Sequence, residues 1–313
     1  MHRMNLKTFD YTLIEQFRGY SRQWLMKDLI AGISVCVVMI PSVMAYSELA
    51  GLAPVHGLYA ALLGMIVYAL FASSRHVING PDAAVALLIG SAVGPLAGGD
   101  PSRAAVLASM IAILCGGLLL LAAALRAGVV ADFLSKPVLL GYLAGAALIL
   151  ISTQLGKLFG VRTTEQDFFP LLAEIAGRLR ETHVLTLVLG GGLIVMLKVL
   201  RYFFPRFPGT LIAFIIALII SGLFDLTGQG VRVIGTMPRG LPAFKVPIVS
   251  MGDIRQIFPA AFGIVMLIMS DGILLSRAFA SKNRYQVSPN RELAAHAAAN
   301  LVCGLFQGFS VGA

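Results

Sequence analysis

Apolar runs of about twenty residues alternate along this chain with short polar and basic connections. Runs of that length match the helix needed to cross a hydrocarbon core about 30 Å thick. The pattern predicts spans near Asp28–Leu49, Gly57–Phe71, Ala104–Leu125, Phe133–Leu155, Val184–Tyr202, Thr210–Leu223, Ile254–Ser276 and Arg291–Phe306. One stretch breaks the rhythm. From Ser73 to Pro95, SSRHVINGPDAAVALLIGSAVGP opens with a basic turn, passes Gly80-Pro81 and leaves only Asp82–Pro95 for a helix. At about 1.5 Å per residue that helix covers roughly 21 Å, too short to cross alone. Its N-terminus is therefore expected near the membrane midplane, presenting unpaired N–H groups and the positive end of the helix dipole. Broken helices with such ends bind anionic groups in secondary transporters.

Finer features refine the element list. Pro41 is expected to interrupt the first span, because proline removes one helical hydrogen bond. Gly141 and Gly145 have the four-residue spacing of close-packed membrane helices, and Gly190, Gly191 and Gly192 favour close approach in a later span. Residues 156–183 predict a polar connection with an amphipathic surface helix near Arg178 and Arg180, and 226–253 an ordered loop outside the bilayer. Seven elements precede the span at Ile254, so a second repeat would enter from the opposite side, as in inverted-repeat transporters.

Composition sets the class. Of 313 residues, 58% are hydrophobic and 12% charged, against about 25% charged in soluble domains, so the chain is an integral membrane protein. The net charge of +9 fits basic loops on the cytoplasmic face rather than nucleic-acid binding. Residues 1–27 are polar and basic, unlike a signal peptide, with Trp24 at the interface; they predict a cytoplasmic N-terminal segment before a transmembrane domain spanning 28–313. Cys36, Cys115 and Cys303 lie in apolar runs and read as packing residues, and no histidine cluster has metal-ligand spacing. Without a Walker loop, a dinucleotide fingerprint or a nucleophile–base set, enzymatic chemistry is not expected.

Three carboxylates fall at membrane depth. Asp271, within IVMLIMSDGILLS, costs about 2.5–3.5 kcal/mol to insert and so must face a cavity or a partner, which suits a proton or cation site. Asp82 sits in the first turn of the short helix, where acids are ordinary, yet its charge would repel an anion. Glu48 lies near a span end and reads as structural. The backbone N–H groups of Ala83, Ala84 and Val85 are the expected anion donors. Arg75, at the membrane edge, reads as a topology or turn residue.

Several segments resemble the sulfate permease (SulP) family of inorganic anion transporters. They are DLIAGISVCVVMIPSVMAYSELAGLAPVHGLYAAL, YALFASSRHVINGPDAAVALL, DFLSKPVLLGYLAGAALILISTQLGKLFG and SPNRELAAHAAANLVCGLFQGF. The resemblance implies an all-α polytopic fold of two inverted seven-segment repeats, with segments one to four and eight to eleven moving as a core against a gate. It places Ser42, Tyr46, Ala83, Ala84 and Val85 at the anion site, with Asp271 and Asp82 as coupling-ion residues. Ser42 stands where many members have Gln, and Asp82 where a small or hydroxyl residue is common. Members continue beyond GFSVGA into a Ser-Arg-Thr motif, a tenth helix and a cytoplasmic STAS domain, so the resemblance implies a C-terminally truncated member.

The function expected is secondary transport of a small inorganic or carboxylate anion by H+ or Na+ symport or by exchange, with elevator-type access. The lipid bilayer and the anion are the expected partners, H+ or Na+ the only accessory species, and a homodimer is an open assembly. The location expected is a bacterial inner membrane. A nucleobase permease of the same fold, an anion channel and a non-transporting scaffold are the alternatives.

Overall fold

The computed structural model describes residues 21–127, 136–161, 163, 168–203, 209–231 and 240–313. Residues 1–20 of the N-terminal segment, the expected start of the fifth span at 133–135, Arg206 and loop residues 232–239 lie outside them.

The ordered elements are helical: α1 (Arg22–Leu49), α2 (Pro54–Phe71), α3 (Ala83–Ala97), α4 (Pro101–Ala124), α5 (Lys136–Phe159), α6 (Phe168–Gly177), α7 (Val184–Phe203), α8 (Gly209–Leu223), α9 (Met251–Asn283) and α10 (Pro289–Leu305). Among the described residues, five of these are long and apolar enough to cross a membrane, whereas α3 is a shorter apolar helix. Local sequence chemistry sets many ends. Asp82 and Asp100 cap α3 and α4 by accepting N–H bonds from Val85 and Ser102. Pro101 and Pro289 occupy first-turn positions, where a missing N–H costs nothing. Ser250 and Asp253 form a reciprocal capping box at α9. Gly98 closes α3 at φ 59°, a left-handed conformation that glycine adopts freely.

Several expectations are corrected. Pro41 does not interrupt α1, which runs through it as one 28-residue helix; neighbouring turns carry the helix past the N–H that Pro41 cannot offer. The span expected at Ile254–Ser276 is a 33-residue helix, so Arg277 and Lys282, past the expected end, ride on α9. Nothing between Ser276 and Asn283 breaks a helix, and the stop comes at Arg284 with φ 57°. α5 likewise continues to Phe159, and α3 passes Pro95 to end at Ala97. Among the described residues, Gly141 and Gly145 have no neighbouring atom within 4 Å.

The chain divides into two compact units. The first holds residues 1–29, 40–136 and 238–313. In it α10 packs on α2 and α4, while α9 packs on α3, α4 and α10. Lipid is as apolar as leucine, so close contact and hydrogen bonds, more than hydrophobic burial, must hold such helices together. Small residues provide that contact. A Cβ on Gly304 would lie 2.6 Å from the Ser109 carbonyl oxygen, and one on Gly308 would lie 3.1 Å from the Ala60 Cα. Gly90 lets α3 press against the Leu49 carbonyl. Buried Ile89, Leu107, Ile111, Ile264 and Ile268 fill the space between.

The second unit holds residues 30–39 and 137–237. Here α7 and α8 pack together, and Gly190 receives the Leu158 side chain of α5; Gly191 and Gly192 have no neighbour within 4 Å among the described residues. α6 is the expected amphipathic helix, burying Leu171 and Ile175 and carrying a Glu174–Arg178 ion pair of 3.4 Å.

Candidate functional site

The short helix α3 is introduced by a stretch of extended chain. Gly80 pairs there with Gly312 as an antiparallel bridge, each N–H donating to the other carbonyl over 2.9 Å. A second segment, entering from the end of α10, is thereby laid across the N-terminus of α3. Gly312 also makes the crossing narrow: a Cβ on it would stand 2.8 Å from Asp82 Oδ2 and 3.6 Å from Ile268 Cγ1 of α9. Ile268 and Asp271 are one helical turn apart on α9, so the crossing and Asp271 share a neighbourhood.

Asp82 is the centre of this group. Its Oδ1 accepts the Val85 N–H at 2.9 Å, and its charge acts on the Tyr46 hydroxyl of α1 and is acted on by Asp271. The structure thus brings Tyr46, Asp82, Val85 and Asp271 together within the first unit. Ser42, one turn before Tyr46, is half-buried on the same helix. Ala83 is half-buried, whereas Ala84 and Val85 are buried. One expectation changes. The three N–H groups assigned to an anion are not all free, because the helix's own capping carboxylate already holds that of Val85. Two carboxylates and a set of helix-end donors in one place can exchange partners when a proton, a cation or an anion arrives.

Elsewhere the remaining candidates are accounted for. Glu48 is exposed, as its position in the sequence implies. Arg75 lies 5.9 Å over the Tyr285 ring, in line with a residue that packs the turn. The Cys115 and Cys303 thiols donate to the Ala261 and Ala60 carbonyls over 3.5 and 3.4 Å, and among the described residues no cluster of three metal-ligating side chains occurs. A cavity of about 340 Å³ lined by Asp100, Arg103, Ile248 and Asp253 lies at the far end of α3, where Arg103 pairs with Asp253 at 3.1 Å. It does not coincide with the Asp82 group.

Sequence reasoning missed the residues that build the crossing. Glu292, His296 and Asn300 recur every four positions on α10 and are fully buried. Asn300 uses every hydrogen-bonding position it has. Its Nδ2 donates to the His296 and Val311 carbonyls, each at 2.9 Å. Its Oδ1 accepts the Ser310 hydroxyl at 2.6 Å and the Val311 N–H at 3.0 Å. That set fixes the strand that pairs with Gly80. Glu292 fixes the other approach. It accepts the Tyr68 hydroxyl at 2.5 Å, the Ser73 N–H at 2.8 Å, the Ser73 hydroxyl at 2.5 Å and the Ser74 N–H at 2.7 Å. Together they hold both extended segments to one helix. The signal was present as a polar stripe at i, i+4 and i+8 among alanines, in RELAAHAAANL.

Comparison with known proteins bears on this arrangement. The profile of the sulfate permease family matches residues 25–313. A probable sulfate transporter of Mycobacterium tuberculosis is 40% identical over 298 residues, covering 95% of this chain and 53% of that protein. The chain spans about half the length of the curated relatives it matches. Among solved structures, the murine Solute Carrier 26 family member A9 anion transporter in its inward-facing state aligns with a TM-score of 0.87 at 20% identity, over 100% of this chain and 55% of that one. The transmembrane domain of a cyanobacterial bicarbonate transporter aligns with a TM-score of 0.80 at 22% identity, over 94% of this chain and 75% of that one. At these identities the structural likeness concerns the fold, which both share with the helical arrangement above.

Proposed function

This chain belongs to the sulfate permease family, and from that premise we propose that it carries a small inorganic or carboxylate anion, of the sulfate or bicarbonate class, by secondary active transport. The supporting observation is the Gly80–Gly312 crossing. It lays a second segment over the N-terminus of a helix too short to span, beside Asp82 and Asp271.

In this reading the anion docks at the α3 N-terminus, taking N–H donors from Ala83, Ala84 and Val85, with Ser42 and Tyr46 of α1 at its edge. Asp82 now occupies part of that seat. Two unit charges 4 Å apart repel by about 4 kcal/mol at an effective dielectric of 20, enough to exclude the anion while Asp82 is charged. A proton on Asp82 removes that repulsion and weakens its hold on the Val85 N–H. Asp271 is the partner that supplies or holds the coupling H+ or Na+, which makes the transport a symport. Exchange of one anion for another would instead leave both carboxylates in a constant state. The core carrying α3 and α9 then moves elevator-like against the rest, in a bacterial inner membrane with the N-terminus in the cytoplasm.

Uptake of radiolabelled sulfate and of bicarbonate into proteoliposomes tests this. We expect saturable, concentrative uptake driven by an imposed H+ or Na+ gradient, and loss of the gradient dependence in Asp271→Asn. Flux that never saturates would identify a channel, and absence of flux a scaffold.

A further inference from the structure

The turn after α2 and the link from α9 to α10 are more than two hundred positions apart in the chain, yet they meet at one end of the first unit. The Ser288 N–H donates to the Ser73 hydroxyl at 3.0 Å, and Arg291 Nε donates to the Phe71 carbonyl at 2.9 Å. Tyr285 stands at the centre of this junction. Its hydroxyl lies 3.3 Å from the Ser74 hydroxyl and 3.2 Å from His76 Nδ1. The Arg75 guanidinium sits 5.9 Å over its ring. His76 stacks on both Phe279 and Tyr285, with centroids 5.9 and 5.5 Å apart. The outward face of the junction is positive. Arg75, His76, Arg277, Lys282 and Arg284 are exposed. The sequence places no Asp or Glu between Asp271 and Glu292, nor from Gly57 to Pro81. Glu292 itself is buried and turned to the Tyr68, Ser73 and Ser74 donors.

We propose that this junction binds the phosphate of an anionic phospholipid, with Arg75, Lys282 and Arg284 as its charged ligands. Depth is the first argument. The apolar stretch of α9 ends near Ser276, and the helix continues to Asn283. At about 1.5 Å per residue those last two turns rise roughly 10 Å, which carries them through the headgroup layer outside the hydrocarbon core. The second argument is the border of the patch. Phe71, Ile78 and Leu274 are large, apolar and exposed beside the basic residues. A dissolved inorganic anion has no use for such a border, whereas a lipid places its acyl chains there and its phosphate among the cations. Basic clusters at the end of a membrane span attract anionic headgroups in this way. The third argument is order. Tyr285 holds Arg75 by a cation–π contact, so one forked phosphate ligand is oriented before the lipid arrives, which lowers the cost of binding. A bound headgroup would bridge the turn that leads into Gly80 and the helix that carries Asp271.

The inference holds whichever anion the protein carries, and lipid binding tests it directly. The detergent-solubilised protein is titrated with phosphatidylglycerol or with phosphatidylcholine of the same acyl chains, and retained lipid is counted by native mass spectrometry. We expect phosphatidylglycerol to be held at concentrations where phosphatidylcholine is lost. Lys282→Gln together with Arg284→Gln should weaken that binding about fivefold for each charge removed, and Arg75→Gln should weaken it by a similar factor. Lys198→Gln together with Arg201→Gln removes the same charge from the end of α7 in the second unit and should leave it unchanged. Equal weakening by the two pairs would mean diffuse attraction to basic loops and would overturn the site. Equal retention of the two lipids by the wild type overturns it as well. Displacement of phosphatidylglycerol by inorganic phosphate would make the patch a small-anion site and not a lipid site. The unfolding midpoint of the wild type gives a check without variants: it should rise with phosphatidylglycerol and not with phosphatidylcholine, and an equal response to both counts against the proposal.

Discussion

Asp82 and Asn300 show how much one side chain decides where backbone groups meet at the start of α3. Asp82 caps α3 through the Val85 N–H, the kind of donor an incoming anion needs, so in the proposed seat the same carboxylate would both repel the anion and cover a donor. A bulky residue at the half-buried Ala83 should crowd the proposed anion seat without emptying the core. Ala83→Leu is expected to weaken anion binding about tenfold or more, a difference near 1.4 kcal/mol; isothermal titration on the solubilised protein would show it, and unchanged affinity would remove α3 from the site. Asn300 acts at one remove. Replacing it with Ala orphans the Ser310 hydroxyl and the Val311 N–H, at about 1–3 kcal/mol for each group left without a partner. A lower thermal unfolding midpoint in detergent is expected, and an unaltered midpoint would mean that Asn300 does not hold the crossing. The acids at Asp82 and Asp271 were legible as residues out of place in apolar runs. Asn300 was not, because a lone amide among alanines reveals its partners only once the chain has turned back.

At the scale of elements, close approach is the recurring device. α10 meets α4 at Gly304 and its following turn meets α2 at Gly308. Gly304→Ala would drive a methyl group to 2.6 Å from the Ser109 oxygen and 3.0 Å from the Ile113 nitrogen. Both are backbone atoms that cannot swing aside, so a loss of about 1–3 kcal/mol is expected. Chemical unfolding in mild detergent measures it, and wild-type stability would place the contact elsewhere. The glycine spacing at Gly141 and Gly145 looked equally meaningful in sequence but meets no neighbour among the described residues. Spacing shows that a helix can be approached, not that another helix is there. The length of α9 teaches a related lesson. Hydropathy marks where the apolar stretch ends, near Ser276, whereas the backbone continues to Asn283 because no breaker stops it.

Taken whole, the molecule turns an apolar surface outward. Trp24, Ile30, Ile66, Val188, Val195 and Leu218 are large, apolar and exposed, a distribution that water would punish and lipid accepts. The protein should stay in the membrane pellet through an alkaline carbonate wash; release into the supernatant would mean that these helices do not span. The sequence by itself determined that the chain is a membrane protein, where its apolar helices lie, that α3 is too short to cross, and which acids are buried at cost. Each of these follows from local length, hydropathy or capping chemistry, which act within a few turns of the chain. Only the tertiary structure decided that Gly312 returns to Gly80, that Asp82 holds a helix-end N–H of α3, and that Glu292, His296 and Asn300 form a buried line on α10. Those contacts join residues more than two hundred positions apart or depend on which face of a helix meets which neighbour. In a bilayer, that choice is made by close packing and hydrogen-bond satisfaction between helices rather than by hydropathy.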